Sequence, residues 1–209
     1  MTQDTPGLRL RLVRETDGLT RGAPVWSTGV GPAGELLLLQ RPLASHNLTT
    51  LWTVTAESVE RRSLLALGDR RPFVQPMPGG DTLVAQQGHR GEHLATICRS
   101  DGSTSAPFAL GYALADVQTS ASGHIWVSYL DEGVLSGRES GLTCFDAEGN
   151  RRWDFDVHAP LPPIYDCYAL NVDGETAWAY YYDSFTLLRI AADESTAHWM
   201  TGVSGASAI

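Results

Sequence analysis

Residues 116–157 read DVQTSASGHIWVSYLDEGVLSGRESGLTCFDAEGNRRWDFDV, a stretch in which runs of Val, Ile, Thr, Trp and Tyr alternate with clusters of Gly, Asp, Asn and Ser. Such punctuation marks short strands joined by turns. Four strands are expected: A over Asp116–Ser120, B over Ile125–Leu130, C over Gly141–Asp146 and D over Arg151–Val157. Working outward, the same pattern recurs. The first turn holds Gly34, Gly80, Gly123 and Gly174 in four successive units, at separations of 46, 43 and 51 residues. A second turn follows each by 20 to 26 residues, at Ser58, Gly102, Gly149 and Glu194. Four positions before those anchors stand Val54, Cys98, Phe145 and Ile190, and six positions after them Leu64, Phe108, Phe155 and Met200. The fourth unit places its strands at Asp166–Val172, Thr176–Tyr182, Phe185–Ala191 and Thr196–Val203.

Strand B is apolar on both faces, as in Leu36–Leu39 or Trp178–Tyr182, where a half-exposed sheet alternates polar with apolar residues. A four-stranded unit covered on both sides and repeated at this period is a blade of a β-propeller. The expected fold is therefore all-β: four-stranded antiparallel blades over approximately 23–68, 72–111, 115–157 and 166–203, in a single domain spanning 1–209. Trp126, Trp153, Trp178 and Trp199 supply large apolar areas for such a core. The ring is expected to be incomplete. Leu8–Arg14, alternating Leu and Arg, reads as a D strand from the N-terminus, and VSGASAI at the end enters what would be strand A of a fifth unit. That pattern predicts part of a six- or seven-bladed ring. A small closed ring, or a partner that supplies the rest, would also accommodate it. Open blade edges predict a surface for self-association.

Particular strings resemble known propellers. ASGHIWVSY (121–129) is similar to the G-x-I-W-V hairpin of regulator-type propellers, and FDAEGNRRWDF (145–155) resembles the D-x-x-G-x-x-x-W hairpin of PQQ-like blades. Asp116, in DVQTSASGHIWV, is similar to the D-V-x-x-x-x-x-G opening of NHL-like blades. These resemblances imply blade geometry and leave activity open, because propellers host enzymes and binding scaffolds alike. GAPVW (22–26) resembles the E-G-P-V-W opening of gluconolactonase-like propellers, calcium-dependent hydrolases whose glutamate is implied as a metal ligand. Gly22 stands in that glutamate's place and has no side chain with which to coordinate a cation.

A net charge of -9 and a pI near 5 repel phosphate backbones, so nucleic acid is not an expected partner. All 15 basic residues are arginine, a bias that points to GC-rich bacterial coding and carries no chemistry. No apolar run approaches the roughly 18 residues of a membrane span, and the N-terminus lacks the apolar core of a secretory signal. A cytoplasmic location is expected, with no membrane partner. Cys98, Cys144 and Cys167 show no CxxC spacing and form an odd set, which fits buried reduced thiols.

Propeller topology sorts the polar residues. The A–B and C–D turns share one face; the B–C loops and blade-to-blade connections share the other. The second face gathers Arg41, His46 and Asn47, then His89, Arg90, Glu92 and His93, then Asp131, Glu132 and Arg138, and finally Asp183. Asp116 and Asp166 open their A strands on the same rim, beside the central channel. This rim is the expected ligand site, with Asp116, Asp166, Asp131, Glu132, Asp183, His89 and Arg90 as candidates. Each has a plainer reading: Asp116 and Asp166 as acceptors of backbone N–H groups, the other acids as solvated strand ends. Carboxylates around a channel mouth could bind calcium, yet no dedicated calcium loop is present. His89 and His93 would share one face of a helix and could hold zinc there, but Gly88 and Gly91 favour a loop. Tyr180, Tyr181 and Tyr182 could stack a sugar or a base, or simply pack between blades. No G-x-S-x-G elbow occurs, and no catalytic residue, metal ligand or cofactor is assigned. The expected function is a binding or scaffold module for a protein or small polar ligand. The alternative is a metal-assisted hydrolase of the gluconolactonase-like type, with Asp116, Asp166 and neighbouring rim acids polarising a carbonyl.

Overall fold

The computed structural model describes residues 24–41, 48–64, 66–88, 90–155, 161–182 and 184–206. The described residues form four antiparallel sheets of four strands, each a meander in chain order. Blade one holds β1 (Val25–Val30), β2 (Leu36–Gln40), β3 (Thr49–Val54) and β4 (Val59–Leu64). Blade two holds β5 (Phe73–Pro76), β6 (Thr82–Gln87), β7 (Glu92–Cys98) and β8 (Phe108–Tyr112). Blade three holds β9 (Leu114–Thr119), β10 (Ile125–Tyr129), β11 (Leu142–Phe145) and β12 (Arg151–Asp154). Blade four holds β13 (Asp166–Asp173), β14 (Thr176–Tyr182), β15 (Thr186–Ile190) and β16 (Thr196–Met200).

The first strands of successive blades adjoin, β1 with β5, β5 with β9 and β9 with β13. No comparable packing brings β13 back to β1 among the described residues. The blades therefore make an open arc of a β-propeller and not a small closed ring.

Alternation along strand B builds the arc. On β10, Ile125, Val127 and Tyr129 turn toward blade two and share a core with Leu83, Ala85, Ala95 and Ile97. Trp126, one residue out of phase, turns the other way and packs with Leu142, Cys144, Ala177, Ala179 and Tyr181 across the boundary with blade four. Leu37, Leu39 and Leu51 fill the boundary between blades one and two with Val74, Val84 and Cys98. Each fully buried aliphatic or aromatic side chain contributes about 1.5–3 kcal/mol, so three such boundaries hold the arc. Tyr129 carries its hydroxyl into the core and donates it to the Leu110 carbonyl at 2.7 Å, which satisfies the one polar atom that burial would penalise. The three cysteines are buried and unpaired.

Turns follow the residues that permit them. Asp146 accepts the N–H groups of Glu148 and Asn150 through Oδ1, and Gly149 takes the left-handed conformation with φ of 85°. Glu194 holds the equivalent position in blade four with φ of 65°, a conformation costly for a residue with a Cβ, and Asp193 steadies that turn through Ser195.

Three features depart from the sequence reading. Asp131 and Glu132, read as the solvated end of strand B, instead open a short helix, α1 (Asp131–Leu135). Acids in a first helical turn face unsatisfied N–H groups, so the local sequence favours this start. Residues 201–206 are not a strand of a fifth unit; Val203 offers its carbonyl to the Tyr180 hydroxyl. Strand D of blade three ends at Asp154; the Phe155 N–H still donates to the Leu142 carbonyl at 2.9 Å while its ring enters the core, and Asp156 and Val157 lie outside the described residues. The expected strand Leu8–Arg14, Gly22 and the last three residues lie outside the described residues.

Candidate functional site

The rim candidates separate into a structural acid and a cluster. Asp116 lies on β9 opposite Ser128 of β10. Its Oδ1 accepts the Val117 N–H at 2.7 Å and its Oδ2 accepts from the Gln118 side chain at 3.4 Å. Burial raises its pKa above the ordinary carboxylate value, although those hydrogen bonds pull the other way. This is the backbone-acceptor role anticipated as the plainer reading.

Asp166 begins β13, and its carboxyl is also pushed up, first by burial and then by the charges of Asp131 and Glu132. The charges of Asp131 and Glu132, at the start of α1, are thus near enough to act on the Asp166 carboxyl. No guanidinium pairs with any of them among the described residues. Two aromatic rings stand beside them. Tyr182 is the cross-strand neighbour of Asp166, and Tyr168 lies two residues further along β13. Their ring centroids are 6.1 Å apart, and they remain 45% and 37% exposed.

The other rim residues do not join this cluster. Arg90 is exposed on the β6–β7 connection of blade two, and nothing ties it to the acids. Arg138 lies over the Tyr112 ring at 4.7 Å, and Arg41 donates to the Asp69 carbonyl at 2.7 Å. His46, Asn47, His89 and Asp183 lie outside the described residues. Among those described, no three His, Cys, Asp or Glu side chains are arranged to hold a metal.

His93, a candidate zinc ligand only if its segment were helical, lies in strand β7 with its ring 5.9 Å from that of Phe73. The ring is buried and Nδ1 finds no hydrogen-bond partner among the described residues. Burial, and then the positive charge of Arg70, lower its proton affinity below the ordinary value of 6.5. The unfolded chain therefore takes up a proton near pH 6.5 while the folded chain resists. Stability attributable to His93 is complete above pH 6.5 and falls as the pH drops from there toward the lower folded value. A series of thermal melts between neutral and mildly acidic pH should show a steeper acid-side loss in the native chain than in His93→Gln.

Two polar centres were not anticipated. Glu175, in the β13–β14 turn, reaches across to the β9–β10 turn, where it accepts the Ser122 N–H at 2.6 Å and the hydroxyls of Ser120 and Ser122 at 2.9 and 2.7 Å. His124 Nδ1 lies 3.2 Å from the Ser122 hydroxyl and 3.6 Å from Glu175. Serine, histidine and carboxylate meet here without forming a catalytic relay, because hydroxyl and carboxylate face the same ring nitrogen and the serine proton goes directly to the carboxylate. The group clamps blade three to blade four. Glu139 does similar work between blades two and three, accepting the Tyr112 N–H at 2.8 Å and pairing with Arg151 at 2.9 Å. Both acids sit in turns or loops with no sequence signature, since their partners belong to neighbouring blades.

One cavity lies away from the rim. It measures about 510 Å³ and opens on the face of the tight turns, where blades one, two and three converge.

No family model matches the chain, and no curated protein matches it. Solved structures do resemble it. They include a candidate gluconolactonase, 17% identical over 87% of this chain and 64% of that one, with a TM-score of 0.51. YjhT matches at 10% identity over 88% of this chain and 68% of its own, and TolB from Acinetobacter baumannii at 12% over 85% and 43%, each with a TM-score of 0.51. The chain spans about two thirds or less of the length of these structures. At such identities the likeness concerns the fold alone, and together with the four meander sheets it defines this chain as β-propeller blades in an incomplete ring.

Proposed function

We propose that this propeller arc is a binding module whose rim receives a positively charged group of a protein or small polar ligand. The observation that carries the reading is the placement of Asp166 beside the exposed rings of Tyr168 and Tyr182, with the charges of Asp131 and Glu132 near enough to act on it. No guanidinium pairs with any of these acids among the described residues, so an incoming ammonium or guanidinium would meet negative charge while stacking on the phenol faces. Metal-assisted hydrolysis asks more of the same acids. A catalytic cation needs several oxygen or nitrogen ligands in one shell, and Asp116 is already engaged by backbone and Gln118.

Thermal melts and a titration separate these readings. The melting temperature is expected to be indifferent to millimolar calcium and to EDTA, whereas a calcium-dependent rise of several degrees would favour the hydrolase. Arginine methyl ester should shift the ring resonances of Tyr168 and Tyr182 saturably. The double substitution Asp131→Asn, Glu132→Gln should weaken that response by about tenfold, or ~1.4 kcal/mol. Unmoved tyrosine resonances would sink the binding reading.

A further inference from the structure

We propose that the cavity on the turn face is a second binding site, specific for a small organic cation that carries an apolar body, such as an amine on a saturated ring. It lies on the face opposite the rim and does not depend on the rim reading.

The cavity is walled by four turns, among them the β3–β4 turn with Thr55 and Ser58, beyond which Glu60 lies on β4. The β1–β2 turn contributes Glu35, the β5–β6 turn contributes Met77, Pro78 and Asp81, and the β9–β10 turn closes the third side with Ser120 and Ala121. These turns are held in place. Met77 N–H donates to the Asp81 carbonyl at 3.0 Å, Gly31 N–H to the Glu35 carbonyl at 2.9 Å, and the buried Thr119 hydroxyl to the Pro76 carbonyl at 2.6 Å. Gly123 packs so closely that an added Cβ would lie 3.1 Å from Pro78. A wall of this kind needs little ordering when a ligand enters.

The lining has two halves. Leu37, Pro76 and Met77 are buried apolar residues at its base, which reward an apolar body with the removal of its surface from water. Glu35, Glu60 and Asp81 supply carboxylates around them, and no Lys, Arg or His lines the cavity. Asp81 is engaged by Arg99 at 3.5 Å and by the Ser100 N–H at 2.8 Å. Glu35 accepts only the Ala33 N–H, at 3.0 Å, and Glu60 has no partner among the described residues. Arg62 donates to the hydroxyl of the lining residue Thr82, so its guanidinium adjoins the cavity wall, and it pairs with neither glutamate among the described residues. Two carboxylates thus flank a space with an apolar base, Glu35 partly buried and Glu60 exposed, and both attract a cation. A volume of about 510 Å³ suits a small molecule. A bare metal ion is not favoured, because no three ligating side chains converge among the described residues.

The chain has three methionines, and only Met77 lines the cavity, so methyl-labelled methionine gives a site-specific signal. Cyclohexylamine at neutral pH is the probe, and cyclohexanol is its uncharged counterpart. Cyclohexylamine should move the Met77 methyl resonance saturably and leave Met200, on the outer strand β16, in place. In the double variant Glu35→Gln, Glu60→Gln, whose amides keep the shape and the Ala33 hydrogen bond, binding should weaken by roughly three- to tenfold. Circular dichroism establishes that this variant is folded. The proposal is overturned if Met77 does not respond, if cyclohexanol binds as well as the amine, if Met200 moves in parallel, or if the folded double variant binds as the native chain does.

Discussion

Substituting alanine for Gly29 is expected to lower the melting temperature by roughly 6–12 °C, the equivalent of about 3 kcal/mol in a chain of this size. Gly29 sits in β1 opposite Leu37, with ordinary extended backbone, so its requirement is spatial and not conformational. A Cβ at this position would lie 1.9 Å from the Val74 carbonyl oxygen and 3.0 Å from its carbon. Both atoms are backbone of β5, the neighbouring inner strand, and no rotamer change relieves the clash. Blades one and two must move apart, which loosens the core of Leu37, Leu39, Leu51, Val74 and Val84 along the whole boundary. Gly34 is the internal comparison. It has φ of 80° and nothing within 4 Å of an added Cβ, so Gly34→Ala should cost only the left-handed strain of about 1 kcal/mol. Urea unfolding of the two variants measures the difference. Equal costs would mean that β1 and β5 do not approach as closely as the structure has them.

The contrast between these two glycines shows where sequence stops informing. Gly34 announced a turn through its neighbours and through recurrence at Gly80, Gly123 and Gly174, because turn chemistry is local. Gly29 carried no such mark, since the atom that excludes a side chain belongs to another blade. The same division runs through the site. The four-stranded meander was legible from period-two patterning and turn residues, and strand B was legible as doubly covered because Leu36–Leu39 and Trp178–Tyr182 are apolar on both faces. The grouping of Asp131, Glu132 and Asp166 was legible only as a shared rim. The bearing of Asp131 and Glu132 on Asp166 depends on α1, a five-residue helix whose start was read as the end of a strand. Glu175 was invisible: its serine partners lie more than 50 residues away in a neighbouring turn. The turn-face cavity arises from four turns of three blades, a convergence that no single window of sequence contains.

The second large effect concerns a device used twice, once covered and once bare. Blade three sets Trp126 of β10 against Trp153 of β12, ring centroids 5.6 Å apart, and blade four closes over the pair, leaving Trp126 only 5% exposed. Blade four repeats the arrangement with Trp178 of β14 and Trp199 of β16, centroids 6.0 Å apart, but on its far side, where Trp199 stays 47% exposed. Trp126→Ala should therefore cost about 3–5 kcal/mol, since it opens a cavity inside a packed boundary. Trp178→Ala removes a half-solvated ring and a stacking partner, at about 1 kcal/mol. Blade four is held at one boundary whereas blades two and three are held at two. In Trp126→Ala, amide exchange should therefore accelerate across β13–β16 before it does across β5–β8. Urea midpoints and hydrogen exchange test both statements. If Trp178→Ala proves as damaging as Trp126→Ala, the far face of blade four is covered in solution, and the arc is closed there by another surface.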